Sequence, residues 1–442
     1  MFNIDPFWLT FLMLGGLLFG LFLGHPLAFV FGGLSVIFGY VAWGPVSFLL
    51  FTNRIIGLMD NFILVAIPMF ILMANLLNHS GVADKLFDSL RYLMGPMRGG
   101  IALAVIVVCT IFAACTGVIA ASIVSMGLLA LPIMLKYGYD KKLSCGTICA
   151  GGTLGILIPP SIMLIVMADM SGLSVGKLFV GSVVPGLILA ALYITYILVL
   201  CWSRPALGPP LSEEERNKVS MGEVLKMALM SMVPPVLLIV GVLGSIFTGI
   251  ATPTEASGVG AFLALLLTIV YGRFSWAMLR EVTLSTAKTV AMVMVILIGA
   301  TCFTGVFMGT GGGKVVSTFI LGLGLGKWGT LIAMMFVVFL LGMFVDWIGI
   351  VYIVFPIFLP IAKQLGFDPL WFVVCIAVCL QSSFLTPPFG YALFFMKGIA
   401  SEELTTAEIY QSIVPFVLMI IIGMGLCFAF PDMILVPANL IN

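Results

Sequence analysis

The sequence contains very little charge. Only 8% of its 442 residues are Asp, Glu, Lys or Arg, whereas 62% are hydrophobic. Soluble domains carry about 25% charged residues, so this chain has too few polar side chains to cover a surface that faces water. The shortage of charge therefore excludes a soluble globular protein. It indicates an all-α polytopic membrane protein whose helices cross the bilayer many times.

The signatures of several other function classes are also missing. The net charge is +1, and no basic block interleaved with aromatic residues is present, which argues against nucleic-acid binding. The chain has only two histidines and no His-Glu-x-x-His motif, which argues against an intramembrane enzyme. The glycine-rich run at residues 309–314 lacks the first glycine of a phosphate loop, because residue 308 is Met, and residue 315 is Val rather than Ser or Thr. An ATP-driven pump is therefore disfavoured.

Hydropathy divides the chain into two halves. The largest polar stretch, residues 204–226, contains three consecutive glutamates and is predicted to be a linker. The halves are then residues 1–203 and 227–442, each made of apolar segments. Within the first half, residues 82–98 alternate charged and apolar side chains at helical spacing, which predicts a helix that lies in the membrane interface.

Two double-proline breaks interrupt segments that are otherwise apolar. They lie at Pro159-Pro160 and at Pro387-Pro388, and both are surrounded by Gly, Ser and Thr. Two consecutive prolines remove two backbone donors, so no straight helix runs through either break. In lipid such a break is tolerated only where the freed carbonyls are buried in protein or line a cavity. Broken helices are therefore predicted over residues 143–171 and 369–398.

The breaks belong to an internal repeat. Gly138-Tyr139-Asp140 begins 21 residues before Pro159, and Gly366-Phe367-Asp368 begins 21 residues before Pro387. Further proline landmarks precede and follow each break in the same order. Small residues ahead of each broken helix predict re-entrant hairpins over residues 113–135 and 342–362. Paired interruptions of this kind in two halves of a chain indicate a transporter whose binding site lies near the membrane midplane.

The polar residues near the breaks suggest what the site binds. Asp346 lies in an apolar segment, where a carboxylate costs roughly 3 kcal/mol on insertion scales, so a role at a cation site is favoured over capping of a hairpin helix. Its counterpart in the first half is Ser122. The hydroxyl groups at both breaks either bond back to helix carbonyls or bind a ligand. Half-helix N-termini suit an anionic substrate, and free carbonyls with hydroxyl groups suit Na⁺.

The sequence resembles the large membrane subunit of the tripartite ATP-independent periplasmic (TRAP) transporters. The resemblance spans nearly the whole chain. It rests on residues 66–73, 138–140, 152–155, 158–161, 249–256, 341–347 and 385–390. It implies Na⁺-driven secondary transport of an organic acid in the bacterial inner membrane, with no other cofactor. It also implies two partners, a small four-helix membrane subunit and a periplasmic substrate-binding protein.

The resemblance further implies a fold and a set of site residues. The fold is an elevator transporter with two inverted repeats, a scaffold and a mobile domain. The first Na⁺ site would use Thr116, Gly117, Ser122, Gly152, Thr153 and Pro159. The second would use Gly342, Asp346, Ser383, Thr386 and Pro387. Substrate would contact Thr116, Ser161, Asp346 and Gly390.

The first hairpin tip departs from the common family pattern. Many members have Ser-Gly-Ser followed by an Asp, whereas this chain has Thr116-Gly117-Val118 followed by Ser122. With Gln381-Ser382-Ser383-Phe384, this variant is similar to a subgroup that handles 2-oxo acids and related monocarboxylates. An ion channel is the alternative function, but it would need a symmetric oligomer with a repeated filter, and the two halves of this chain are not equivalent.

Overall fold

The computed structural model describes residues 5–117, 119–216, 219–388, 390–400 and 404–441, and the side chains at 113–116, 121 and 216 are not described. Within these ranges the chain is helical and contains no β-strand. The helices of the first half and linker are α1 (Pro6–Phe22), α2 (Leu27–Trp43), α3 (Ser47–Met59), α4 (Ala66–His79), α5 (Val82–Met94), α6 (Gly100–Thr116), α7 (Ile119–Lys136), α8 (Lys141–Thr153), α9 (Ile162–Ser171), α10 (Val175–Ser203) and α11 (Glu213–Arg216).

The second half continues the same helical pattern. Its helices are α12 (Met221–Phe247), α13 (Pro253–Val270), α14 (Trp276–Gly309), α15 (Gly312–Gly322), α16 (Gly326–Gly342), α17 (Trp347–Gln364), α18 (Pro369–Leu385), α19 (Tyr391–Ile399), α20 (Thr406–Ser412), α21 (Val414–Ala429) and α22 (Asp432–Asn439). Short 3₁₀ turns precede α3 and α4, follow α8 and lie in the linker.

Eight helical stretches within the described residues are long and apolar enough to cross a membrane. They are Leu27–Met59, Phe62–His79, Val175–Ser203, Met221–Phe247, Pro253–Val270, Trp276–Gly309, Trp347–Gln364 and Thr406–Ala429. Most of the hairpin and broken-helix segments are apolar but shorter, at 10–17 residues. A span needs about 20 residues, so single segments of this kind reach only part of the way across.

Local sequence signals explain where the helices of the repeat begin. Gly138 and Gly366 adopt φ of 76° and 72°, a left-handed conformation that favours glycine, and each ends a hairpin. Asp140 and Asp368 then cap α8 and α18 by accepting hydrogen bonds from the first-turn N–H groups. The two Gly-x-Asp landmarks are therefore a helix stop followed by a helix start.

Three boundaries differ from those expected from the sequence. The first hairpin is α6 with α7 and begins at Gly100, not at residue 113, and the second is α16 with α17 and begins at Gly326, not at residue 342. Small residues mark the turn of each hairpin, while its first helix is a plain apolar run with no start signal. The helix after the linker begins at Met221, because Ser220 and Glu223 form a capping box there.

The helix boundaries confirm the repeat. Trp347, Pro369 and Ile399 bound helices of the second half, and each lies 228 positions after Ile119, Lys141 or Ser171 in the first half. This spacing pairs Asp346 with position 118 of the sequence, so the expected pairing of Asp346 with Ser122 is wrong by four positions. The repeats also exchange contacts, because α7 packs against α19 while α17 packs against α9. The second helix of each hairpin is therefore held by the broken helix of the other repeat.

Apart from α11 in the linker, the helices divide into two packed groups. We call the first the scaffold group; it contains α1–α5 and α12–α15, with α4 packed against α13 and α14. The second, the hairpin group, contains α6–α10 and α16–α22, with α10 and α21 packed against the broken helices. The two groups meet mainly where α4, α5 and α14 contact α6 and α17.

Candidate functional site

Both hairpin turns and both broken helices line one cavity of about 190 Å³. Its wall continues onto α4 and α14 of the scaffold group. The lining residues are Ile71, Gly117, Ile119, Ala120, Ile156, Ile162, Thr289, Met292, Val293, Ile296, Asp346, Trp347, Ile348, Phe384, Tyr391 and Phe395. The cavity therefore lies where the two repeats and the two packed groups meet.

Four helices begin at this cavity. Ile119, Ile162, Trp347 and Tyr391 are the first residues of α7, α9, α17 and α19, and all four line its wall. A helix N-terminus carries partial positive charge and unpaired backbone N–H groups, and its field is strongest within the first turn. The cavity is therefore surrounded by fixed dipoles that favour negative charge.

Asp346 is the one charged side chain among the lining residues. Its neighbours in the wall are mainly Ile, Met, Val and Phe, with hydroxyl groups on Thr289 and Tyr391. No Lys, Arg or His belongs to the described lining. An anion in this cavity would therefore be stabilised by helix N-termini and by any bound cation, not by a basic side chain.

Asp346 does not cap the helix that it precedes. It occupies the N-cap position of α17, but its side chain makes no capping hydrogen bond. The caps at Asp140 and Asp368 behave differently, since their Oδ1 atoms accept from the Leu143 and Leu370 N–H groups at 2.9 and 2.8 Å. The carboxylate of Asp346 still faces the Trp347 and Ile348 N–H groups, but without a capping hydrogen bond it is less engaged than the other two.

The first hairpin turn packs on the first break. Gly117 has φ of 59°, and a Cβ there would lie 2.9 Å from the Pro160 carbonyl oxygen. Behind it, a Cβ on Gly152 would overlap the Ile123 side chain of α7. Ser122 is fully buried. The side chain of Thr116 and all of residue 118 lie outside the part of the chain that the structure describes.

The hydroxyl groups at the first break bond to nearby backbone. Thr153 Oγ1 donates to the Ala150 carbonyl at 2.9 Å. Ser161 Oγ donates to the Ile156 carbonyl and accepts from the Leu164 N–H at 3.4 Å. Ser161 is thus the N-cap of α9, directly before the cavity residue Ile162.

The second hairpin turn packs on the second break. A Cβ on Gly342 would overlap the Ser383 side chain, so only glycine permits this approach. Ser383 Oγ is buried and has no hydrogen-bond partner among the described residues. Thr386 Oγ1, in contrast, donates to the Ser382 carbonyl at 2.5 Å. The pairing of each turn with the break of its own repeat is thus the same in both halves.

The two breaks also share their backbone form. The Pro159–Pro160 and Pro387–Pro388 peptide bonds are both cis. Gly390 follows the second break as the N-cap of α19, and its N–H donates to the Thr386 carbonyl at 3.2 Å.

Only part of the predicted site reaches the cavity. Gly117 and Asp346 line it, while Ser161 and Gly390 directly precede lining residues. The other predicted residues lie outside the lining. They are Ser122, Gly152, Thr153, Pro159, Gly342, Ser383, Thr386 and Pro387. Several of these form the contacts between the turns and the breaks.

The wall that the scaffold group contributes was not predicted from the sequence. Thr289, Met292, Val293 and Ile296 of α14 line the cavity, and Ile71 of α4 lies with them. The spacing of the α14 residues is helical, but the same spacing occurs in any packed apolar helix. Nothing except the tertiary packing distinguishes this stretch from the rest of α14.

Comparison with known proteins agrees with this geometry. Residues 14–433 match the family described as tripartite ATP-independent periplasmic transporter, DctM component. The C4-dicarboxylate TRAP transporter large permease protein DctM of Pseudomonas aeruginosa is 32% identical over 84% of this chain and 86% of its own length. The isethionate TRAP transporter permease protein DctMQ of Oleidesulfovibrio alaskensis is 31% identical over 87% of this chain and 60% of its own length.

A solved structure shows the same fold. The YdaH transporter of Alcanivorax borkumensis superposes with a TM-score of 0.64, covering 96% of this chain and 98% of that one, at 14% identity. At this identity the likeness concerns the fold alone. The match to the family covers most of the sequence, and the hairpins, breaks and cavity described above lie within it. The chain therefore belongs to the tripartite ATP-independent periplasmic transporters, as a large permease component of the bacterial inner membrane.

Proposed function

We propose that this permease takes up a small organic acid by Na⁺-coupled secondary transport. The observation that carries the proposal is the cavity at which four helix N-termini converge around a single carboxylate. The N-termini favour an anion, and the carboxylate favours a cation, so the two ligands are suited to bind as a pair. Binding of one would then strengthen binding of the other.

Charge balance supports the coupling to a cation. An organic anion in this cavity meets the Asp346 carboxylate but no basic side chain in the described lining. Two negative groups in a largely apolar space repel each other unless a cation lies nearby. Na⁺ bound near Asp346 would remove that repulsion. The Ser383 Oγ, which has no partner among the described residues, would be a neutral oxygen ligand at the same turn.

The first Na⁺ site is proposed at the other turn. Gly117, Gly152, Thr153 and Pro159 lie at the packed contact between the first hairpin and the first break. Ser122, in the position where many family members have an Asp, brings no charge. The second site is therefore expected to hold Na⁺ more tightly than the first.

Transport by an elevator movement is the proposed mechanism. The scaffold group would stay fixed in the membrane while the hairpin group carries the cavity across. Support comes from the lining itself, because α4 and α14 contribute one wall and the hairpins and broken helices contribute the rest. A movement of one group against the other would separate these walls and open the cavity.

The partners are proposed from the family. A small four-helix membrane subunit would pack on the scaffold group, and a periplasmic binding protein would deliver the substrate. Exposed apolar side chains on α2 and α12, such as Phe29, Ile37, Leu229 and Leu237, leave room for a membrane partner or lipid. Relatives are named for C4-dicarboxylate and for isethionate, both small organic anions. A 2-oxo acid or related monocarboxylate is the proposed substrate class here.

Uptake by proteoliposomes tests the proposal. The permease would be reconstituted with its small subunit, and its binding protein would be supplied outside, loaded in turn with a 2-oxo acid, a C4-dicarboxylate and isethionate. We expect uptake of one acid when Na⁺ is imposed outside, and little when choline replaces it at equal ionic strength. Equal uptake with and without the Na⁺ gradient would contradict the coupling.

A further inference from the structure

Three buried polar groups in the hairpin group belong neither to the cavity nor to the contacts between turns and breaks. They are the amide of Gln381 on α18, the hydroxyl of Thr147 on α8 and the phenol of Tyr193 on α10. All three residues are fully buried. Their side-chain oxygens, and the amide nitrogen of Gln381, have no hydrogen-bond partner in the described part of the chain.

The side chains of Gln381 and Ser383 lie on different faces of α18. Residues two apart on a helix point to different sides, so the two unpaired groups of α18 face different neighbours. Ser383 faces Gly342 at the second hairpin turn. Gln381 is therefore directed away from that turn, towards the interior of the hairpin group.

The antiparallel packing of α18 on α21 shows which residues of α21 lie beside Gln381. The Trp371 indole donates to the Cys427 carbonyl at 2.9 Å, and further along α18, Cys379 shares a groove with Ile420. Moving forward on α18 thus corresponds to moving backward on α21. Continuing by the same number of residues places Gln381 level with residues 417–418.

The other two groups lie at the same level. The Tyr193 ring packs edge-on against Phe416 with ring centroids 5.3 Å apart. Gly146, which precedes Thr147, faces the same ring, since a Cβ there would lie 2.7 Å from Phe416 Cε2. Helices α8, α10 and α18 also contact one another directly. The three unpaired groups therefore lie near one level of the interior, on three helices that contact one another.

The chemistry of the three groups selects the ligand. The Gln381 amide needs an acceptor for its nitrogen and a donor for its oxygen, while each hydroxyl can donate and accept. A cation would engage oxygens only and leave the amide nitrogen unpaired. A carboxylate would engage donors only and leave the amide oxygen unpaired. Water satisfies both kinds of atom, and buried water commonly bridges polar groups that lack protein partners.

We infer that Gln381, Thr147 and Tyr193 bind one or more ordered waters. These waters join the two broken helices on the side that faces away from the second hairpin turn. The water links α8 of the first repeat to α18 of the second, with α10 as the third wall. It acts as a fixed structural ligand of the hairpin group and holds α8 and α18 together. This site is separate from the Na⁺ and substrate sites and does not depend on them.

A double-mutant cycle tests the inference. Gln381→Leu and Thr147→Val each remove one partner of the water, and we expect each to lower the Tm of the purified permease by about 2 °C or more. Because both act on the same water, the double variant should lose less than the sum of the two. Ser182→Ala is the matched control, since Ser182 is buried on α10 but already donates to the Phe179 carbonyl at 2.8 Å. Its effect should add to that of Thr147→Val.

One further variant and one change of salt provide additional tests that could contradict the inference. If Gln381→Leu does not fold, the same cycle is run with Tyr193→Phe, which removes only a hydroxyl group. The melts are repeated in NaCl and in choline chloride, and the effects should be equal in both. Strict additivity of the cycle would show that no ligand is shared. Effects that appear only in Na⁺ would show a cation instead, and either result would overturn the inference.

Discussion

Asp346 carries the charge of the cavity. The sequence left two roles open for it, a cation ligand and a helix cap. The structure places it at the N-cap of α17 but shows no capping hydrogen bond, while it lines the cavity between the hairpin turns. The geometry therefore favours the ligand role.

We expect Asp346→Asn to weaken Na⁺-driven uptake strongly while leaving expression intact. Loss of an ionic interaction of about 1.5–3 kcal/mol corresponds to at least a tenfold lower affinity for Na⁺. The measurement is the Na⁺ dependence of uptake in proteoliposomes. Asp140→Asn is the control, because Asn caps helices as well as Asp does and Asp140 serves only as a cap. Equal Na⁺ dependence of Asp346→Asn and the parent protein would leave no role for the charge.

At the scale of the element, each hairpin meets the break of its own repeat through glycine. The sequence showed the small residues and the prolines, and the family resemblance implied that each turn shares a site with a break. It did not show how closely, because that depends on the angle at which α16 approaches α18. Gly342 against Ser383 is the tightest of these contacts, with no space for a Cβ.

We expect Gly342→Ala to separate the second turn from the second break and so to reduce Na⁺ affinity. The added methyl group overlaps Ser383, and the backbone of α16 must move to accommodate it. Uptake against Na⁺ concentration would show a shift of the half-maximal point to higher Na⁺. Gly322→Ala serves as the control, since its Cβ would meet nothing within 4 Å. An unshifted Na⁺ curve for Gly342→Ala would mean that this contact does not form the cation site.

At the scale of the whole molecule, one hydrogen bond joins the scaffold group to the first broken helix. Asn61, just before α4, donates from Nδ2 to Asp169 Oδ1 near the end of α9, with 2.6 Å between the atoms. The two residues are 108 positions apart in the sequence. If the hairpin group moves, this contact must break in each transport cycle.

We therefore expect a disulfide between Asn61→Cys and Asp169→Cys to stop uptake. Oxidation would lock the two groups together, and dithiothreitol would restore transport. The matched control is Asn75→Cys with Thr286→Cys, whose native side chains hydrogen-bond at 3.0 Å within the scaffold group. That cross-link should leave uptake unchanged. Full cross-linking of the first pair with undiminished uptake would contradict the elevator movement.

The sequence by itself determined the class of protein, the internal repeat and the two double-proline breaks. Low charge and long apolar runs require a membrane environment, and paired prolines cannot lie in a straight helix, so these features depend on local chemistry alone. The Gly-x-Asp landmarks are likewise local, since a left-handed glycine and a capping carboxylate act within one turn.

Only the tertiary structure decided which residues surround the cavity. The α14 wall, the start of each hairpin and the unpaired groups at Gln381 and Ser383 depend on how helices far apart in sequence pack together. An apolar helix has the same pattern whether it faces lipid, protein or substrate, because all three accept the same side chains. The convergence of four helix N-termini at one point is therefore a property of the fold, and of the four helices only α9 is shown to begin at a side-chain cap, that of Ser161.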